Sequence, residues 1–81
     1  MKLCVKLFAV AKERLGQNSI EIELPEQATV GMLRSSLVEQ HPQLAEVMRH
    51  TRLAVNSEYA TDEAAIPARA EVALIPPVSG G

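Results

Sequence analysis

The stretch Pro76-Pro77-Val78-Ser79-Gly80-Gly81 is where residue type and spacing point most directly to chemistry. Each proline fixes φ near −65° and has no N–H to donate to a sheet. Paired prolines favour extended polyproline II, so this segment is expected to leave the body of the protein as a short rod. From Pro76 to Gly81 an extended chain reaches roughly 20 Å, at about 3.3–3.6 Å per residue. Gly80 and Gly81 have no Cβ to strike the walls of a narrow channel. A tail of this form could thread into another protein and deliver the carboxylate of Gly81. That carboxylate is ionised at neutral pH and acylates nothing unaided. Activation through a covalent intermediate would make it an electrophile. The plain alternative is that these residues only fray, as most termini do. The prolines and the strand-like run ahead of them favour a working tail.

A second group of residues could serve recognition. Phe8 and Ile75 fall in the strand phase that faces away from the expected core, and Tyr59 sits in a short strand that could join them. If the first and last strands are neighbours, the three form an apolar patch at the root of the tail. Such patches mark protein interfaces, and large aromatic residues are frequent anchors in them. The competing expectation is a small second core beneath a loop. Other candidates are weaker. Cys4, the single cysteine, is expected to act as a small buried hydrophobe, with a persulfide role as the minor alternative. His41 and His50 have no carboxylate or cysteine at ligand spacing and are expected at the surface. Glu21 and Glu23 read as a solvated strand face. Lys2, Lys6 and Lys12 could pair with a partner, although isolated surface charges contribute little. No Ser/His/Asp or Cys/His set stands out.

The elements that would position these residues follow from periodicity. Leu3 to Ala9 alternates, with Leu3, Val5 and Leu7 inward, and predicts a first strand. Val10 to Leu15 predicts a short helical turn stopped by Gly16. Ser19 to Leu24 predicts an antiparallel second strand with Ile20, Ile22 and Leu24 inward, closed by Pro25. Thr29 is an N-cap for a helix to about His41, with Val30, Leu33 and Leu37 as its buried stripe. Gly31 costs that helix roughly 1 kcal/mol relative to alanine, and Pro42 ends it. Pro42 to Met48 predicts a second short turn with Leu44, Val47 and Met48 over the core. Arg52–Val55 and Glu58–Ala60 read as short strands around an Asn56-Ser57 turn. A polar loop follows, Ile66 packs inward, and Glu71–Ile75 forms the last strand, parallel to the first near the sheet centre. The result is an α+β domain over 1–75, a sheet packed on one main helix, with 76–81 as a tail.

Composition narrows the classes. Eighty-one residues allow one domain, and 47% hydrophobic residues exclude a disordered chain. Only Phe8 and Tyr59 are aromatic, the net charge is −2, and no basic run exists, so nucleic-acid binding is not expected. One cysteine excludes a disulfide framework within the chain. No apolar stretch approaches the roughly 20 residues of a membrane span, and no cleavage-site pattern follows Met1-Lys2. A cytoplasmic location is the expectation.

The chain resembles the ubiquitin-like β-grasp family, and within it the small, sulfur-carrying subunits of molybdopterin synthases. The resemblance rests on Leu7-Phe8-Ala9 with Lys12-Glu13, Thr29-Val30, Ala54-Val55-Asn56, and Glu71-Val72-Ala73 through Pro76-Pro77-Val78-Ser79-Gly80-Gly81. It covers nearly the whole chain; the tail is its most specific part, and 42–51 has little that matches. It implies a mixed sheet of about five strands. It also implies that an adenylating partner similar to ubiquitin-activating enzymes uses ATP and magnesium on Gly81. A sulfur donor of desulfurase or rhodanese type then leaves a thiocarboxylate there. In the family the tail, Gly80 and Gly81 foremost, enters the active site of the large synthase subunit. Sulfur passes there to cyclic pyranopterin monophosphate, giving molybdopterin. Phe8, Tyr59, Ile75, Pro76, Pro77, Val78 and Ser79 would contact partners. The chain itself would bind no cofactor or metal, and the family complex is a heterotetramer. A carrier for thiamine synthesis or tRNA thiolation, a ubiquitin-like modifier joined to lysines, and a plain interaction module remain the alternatives.

Overall fold

The structure, a computed structural model, describes residues 1–76. The chain runs β1 (Lys2–Lys6), α1 (Ala9–Leu15), β2 (Ser19–Glu23) and α2 (Val30–Gln40). A 3₁₀ turn over Pro42–Leu44 leads into α3 (Ala45–Met48), and then β3 (Arg52–Val55), β4 (Glu58–Tyr59) and β5 (Glu71–Ile75). The five strands form one sheet in the order β2-β1-β5-β3-β4. β1 and β5 pair in parallel, with Val5 opposite Val72, and the other pairings are antiparallel. This is the β-grasp form of an α+β fold: a mixed sheet with its helices against one face.

The alternation in the strands decides which face is covered. β1 and β2 bury every second residue, and β5 buries Val72 and Leu74. These meet Val30, Leu33 and Leu37 of α2, all fully buried. Each such side chain contributes about 1.5–3 kcal/mol by leaving water. Leu44 and Met48 close the core from the 3₁₀ turn and α3, with Val47 packed at its edge, and Ile66 seals the long loop. Among the described residues no helix lies over the outer face of the sheet.

The N-terminus of α2 explains its composition. Thr29 is the N-cap, and its Oγ1 accepts a hydrogen bond from the Met32 N–H at 3.3 Å. The Val30 and Gly31 N–H groups donate to the carbonyls of Ala64 and Asp62, both at 2.9 Å. The loop therefore lies directly on the helix end. A Cβ at Gly31 would stand 3.3 Å from the Asp62 backbone oxygen and Cβ, so glycine permits this approach. Arg34, one turn on, donates Nη1 to the carbonyls of Met48 (3.1 Å) and Thr51 (3.0 Å). Its Nε pairs with Asp62 at 3.3 Å. One side chain thus ties α2 to both loops beside it.

Three sequence expectations change. The first strand was expected to reach Ala9 but ends at Lys6; Phe8 keeps an extended backbone as the N-cap of α1. Ala9 then has φ +50°, a left-handed turn that costs an alanine about 1–2 kcal/mol and swings the chain out of the sheet. Cys4 is exposed, not buried. It stands on the uncovered sheet face between Lys2 and Lys6, where its strand phase places it. Glu21 and Glu23 are exposed and His50 is exposed as expected, whereas His41 is partly buried.

Candidate functional site at the root of the tail

The uncovered sheet face carries the apolar residues that the inner face leaves over. β5 and β3 set Ala73 beside Ala54, and Ala54 pairs with Tyr59 on β4. The two alanines make a low floor, because a methyl group rises little above the sheet. Ile75, Phe8 and Tyr59 stand around it. Together with Lys6, Glu71 and Val72 they line a depression of about 420 Å³. Tyr59 is 61% exposed and Phe8 45%, unusual for large hydrophobes with no cover. The three residues expected to meet at the tail root therefore do share one surface.

Two ionic features frame this depression. Lys6 Nζ lies 3.6 Å from Glu71 Oε1 across the parallel pair, both well exposed. Arg52 holds its guanidinium over the Tyr59 ring, 5.1 Å from the centroid. A cation stacked on an aromatic face is attracted by the ring quadrupole, which steadies both side chains.

A second hollow of about 190 Å³ lies on the other side of Phe8, lined by Val10, Ala11, Val47, Leu74 and Pro76 among others. Phe8 is the wall between the two. Pro76, partly buried, is the last described residue of the tail. Pro77, Val78, Ser79, Gly80 and Gly81, the remaining candidates from the sequence, lie outside the described residues. Among the described residues no three of His, Cys, Asp and Glu gather as metal ligands. No described helix is long and apolar enough to cross a membrane.

Residues 5–81 match the ThiS family. The chain belongs to the ThiS family. It is 40% identical to the molybdopterin synthase sulfur carrier subunit of Arabidopsis thaliana, over the whole of this chain and 84% of that protein. The corresponding Dictyostelium discoideum subunit is 40% identical, over 95% of this chain and 93% of that one. Among solved structures, the crystal structure of SAMP1 from Haloferax volcanii superposes with a TM-score of 0.86 at 35% identity, covering both chains fully. ThiS-family membership and these full-length likenesses bear out the family and fold expected from the sequence.

Sequence reasoning missed Arg52. Its strand phase is outward, and its pairing with Tyr59 depends on a two-residue strand whose register the sequence does not announce. The Asn56-Ser57 turn was the available signal. A two-residue turn sets Ala54 opposite Tyr59 and brings the ring within reach of Arg52.

Proposed function

We propose that this chain is the sulfur carrier of a molybdopterin synthase. The observation that carries the reading is the gathering of Phe8, Tyr59 and Ile75 on the uncovered face where the Pro-Pro-Val-Ser-Gly-Gly segment departs. It occurs in a ThiS-family chain alike over its full length to sulfur carrier subunits. In this reading the face docks on a partner and the tail reaches that partner's active site. Docking makes delivery effectively intramolecular, which removes much of the entropic barrier to a bimolecular transfer.

The Gly81 carboxylate attacks the α-phosphorus of ATP in a magnesium-dependent adenylating enzyme, and pyrophosphate leaves. The persulfide of a desulfurase- or rhodanese-type donor displaces AMP from the acyl carbon to give an acyl disulfide. A second thiol of the partner then cleaves the S–S bond, forming a partner disulfide and leaving a thiocarboxylate on Gly81. The tail next enters the large synthase subunit. There its sulfur bonds to a carbon of cyclic pyranopterin monophosphate in place of an oxygen substituent. Water cleaves the resulting thioester, leaving the sulfur on the pterin and a carboxylate on Gly81. Acid–base groups come from the partners. This chain contributes the reacting atom, the reach and the docking face.

The intact mass tests the reading. After incubation with the adenylating enzyme, ATP and a sulfur donor, the protein should gain the difference between one sulfur and one oxygen, and the variant lacking Gly81 should not. Adding the large subunit and the pterin precursor should discharge it. An unchanged mass, while a known carrier is charged in the same mixture, would overturn the proposal. The likeness to SAMP1, a small archaeal modifier protein, favours one second reading: attachment of Gly81 to protein lysines. Branched Gly81 peptides on lysine in a cell digest would establish that role.

A further inference from the structure

We propose that Arg52 selects the partner of this docking face, by requiring a carboxylate beside the apolar projection that fills the depression. The inference rests on the docking role given above to Phe8, Tyr59 and Ile75. Arg52 pairs directly with Ile75 in the β3–β5 register. Phe8 and Ile75 line the same depression. Arg52 is thus in the row of residues nearest the departing tail.

Its position is held and its charge is uncompensated. The guanidinium lies over Tyr59, the most exposed aromatic ring of the face. Among the described residues no carboxylate comes within ion-pair distance of Arg52. Lys6, by contrast, is matched by Glu71, and Arg34 by Asp62. Among the described residues, the edge of the apolar depression therefore carries a cation with no matching carboxylate, stacked on the very ring that a partner must cover.

That combination limits what can dock. Covering Tyr59 with a purely apolar surface would strip water from Arg52 and leave its charge unpaired, which is strongly unfavourable. An Asp or Glu at the same place would instead accept paired N–H donors from the planar guanidinium. A lysine or arginine there would be repelled, so the device excludes wrong partners as well as favouring the right one. The occupant is a protein surface, that of the large synthase subunit, with an apolar projection and an adjacent carboxylate.

Binding of the full chain to the large subunit, followed by association and dissociation rates at several salt concentrations, tests this. Arg52→Glu should weaken binding about tenfold, mostly through slower association, as expected for a charge at an interface rim. Arg52→Met, which keeps length but not charge, should weaken it about threefold and flatten the salt dependence of association. Arg52→Lys should retain that salt dependence. Reversing the matching carboxylate of the large subunit to lysine should restore binding of Arg52→Glu. Circular dichroism confirms that each variant is folded. If Arg52→Glu binds within about twofold of wild type with an unchanged salt slope, while Phe8→Ala is impaired, the inference fails and the docking role stands. If the wild-type chain does not bind the large subunit at all, both fail.

Discussion

Asn56 shows how much one side chain can settle. Asn56 and Ser57 both have positive φ, at +51° and +71°, as a two-residue hairpin turn matched to strand twist requires. Asparagine tolerates that region, and its Oδ1 also accepts a hydrogen bond from the Glu71 N–H at 2.9 Å. Asn56→Ala should cost about 2 kcal/mol, combining the left-handed backbone with a lost hydrogen bond. Urea denaturation would measure it as a lower midpoint at unchanged slope. Gly31 is the opposite case, where the sequence suggests an easy gain. Alanine there would add about 1 kcal/mol of helix propensity. Yet the new Cβ would press on the Asp62 backbone at 3.3 Å and displace the carbonyl that Gly31 itself bonds. Gly31→Ala should therefore destabilise, by about 1 kcal/mol net, and a thermal melt that rises instead would refute the close-approach account.

At the scale of elements, α2 is fixed more by its neighbours than by its own cap. Two of its first N–H groups are satisfied by loop carbonyls and one by the Thr29 hydroxyl. Arg34 adds bonds to Met48, Thr51 and Asp62. Arg34→Met should cost about 2–3 kcal/mol, because the partly buried carbonyls of Met48 and Thr51 lose a charged donor. Thr29→Ala should cost less, about 0.5–1 kcal/mol. The ranking of the two in chemical denaturation checks the claim. The strands, α2 and its cap were legible in the sequence because alternation and helical spacing report burial directly. The patch of Phe8, Tyr59 and Ile75 was legible for the same reason: large apolar residues fell in the outward phase. The end of β1 was not, since Leu7 and Phe8 continue the alternation past Lys6, up to the turn at Ala9. Nor was the purpose of Gly31, or the reach of Arg34 and Arg52. These depend on which loops and strands come together, and local pattern carries no record of that.

Taken whole, the molecule separates the residues that fold it from those left on its uncovered face. Leu74 and Ile75 are adjacent, yet Leu74 is in the core and Ile75 faces the depression. Leu74→Ala should lower stability by about 2–4 kcal/mol. Phe8→Asp should change stability by less than about 1 kcal/mol, as expected for a side chain nearly half exposed. It should nonetheless abolish measurable binding to the large subunit, an outcome read by calorimetry with denaturation as the control. A chain lacking 77–81 should keep both fold and docking face. It should compete with the intact protein for the large subunit while delivering nothing, so sulfur transfer should fall as it is added. The order of strands has one more consequence. β5 is the last strand among the described residues but lies in the middle of the sheet, between β1, the first strand, and β3. During synthesis, β1 and β2 can pair early, but the floor of the depression does not exist until Ala73 has been added. A chain on the ribosome that has not reached Ala73 therefore lacks this depression. Any partner that recognises this depression would meet only chains in which β5 has already been added.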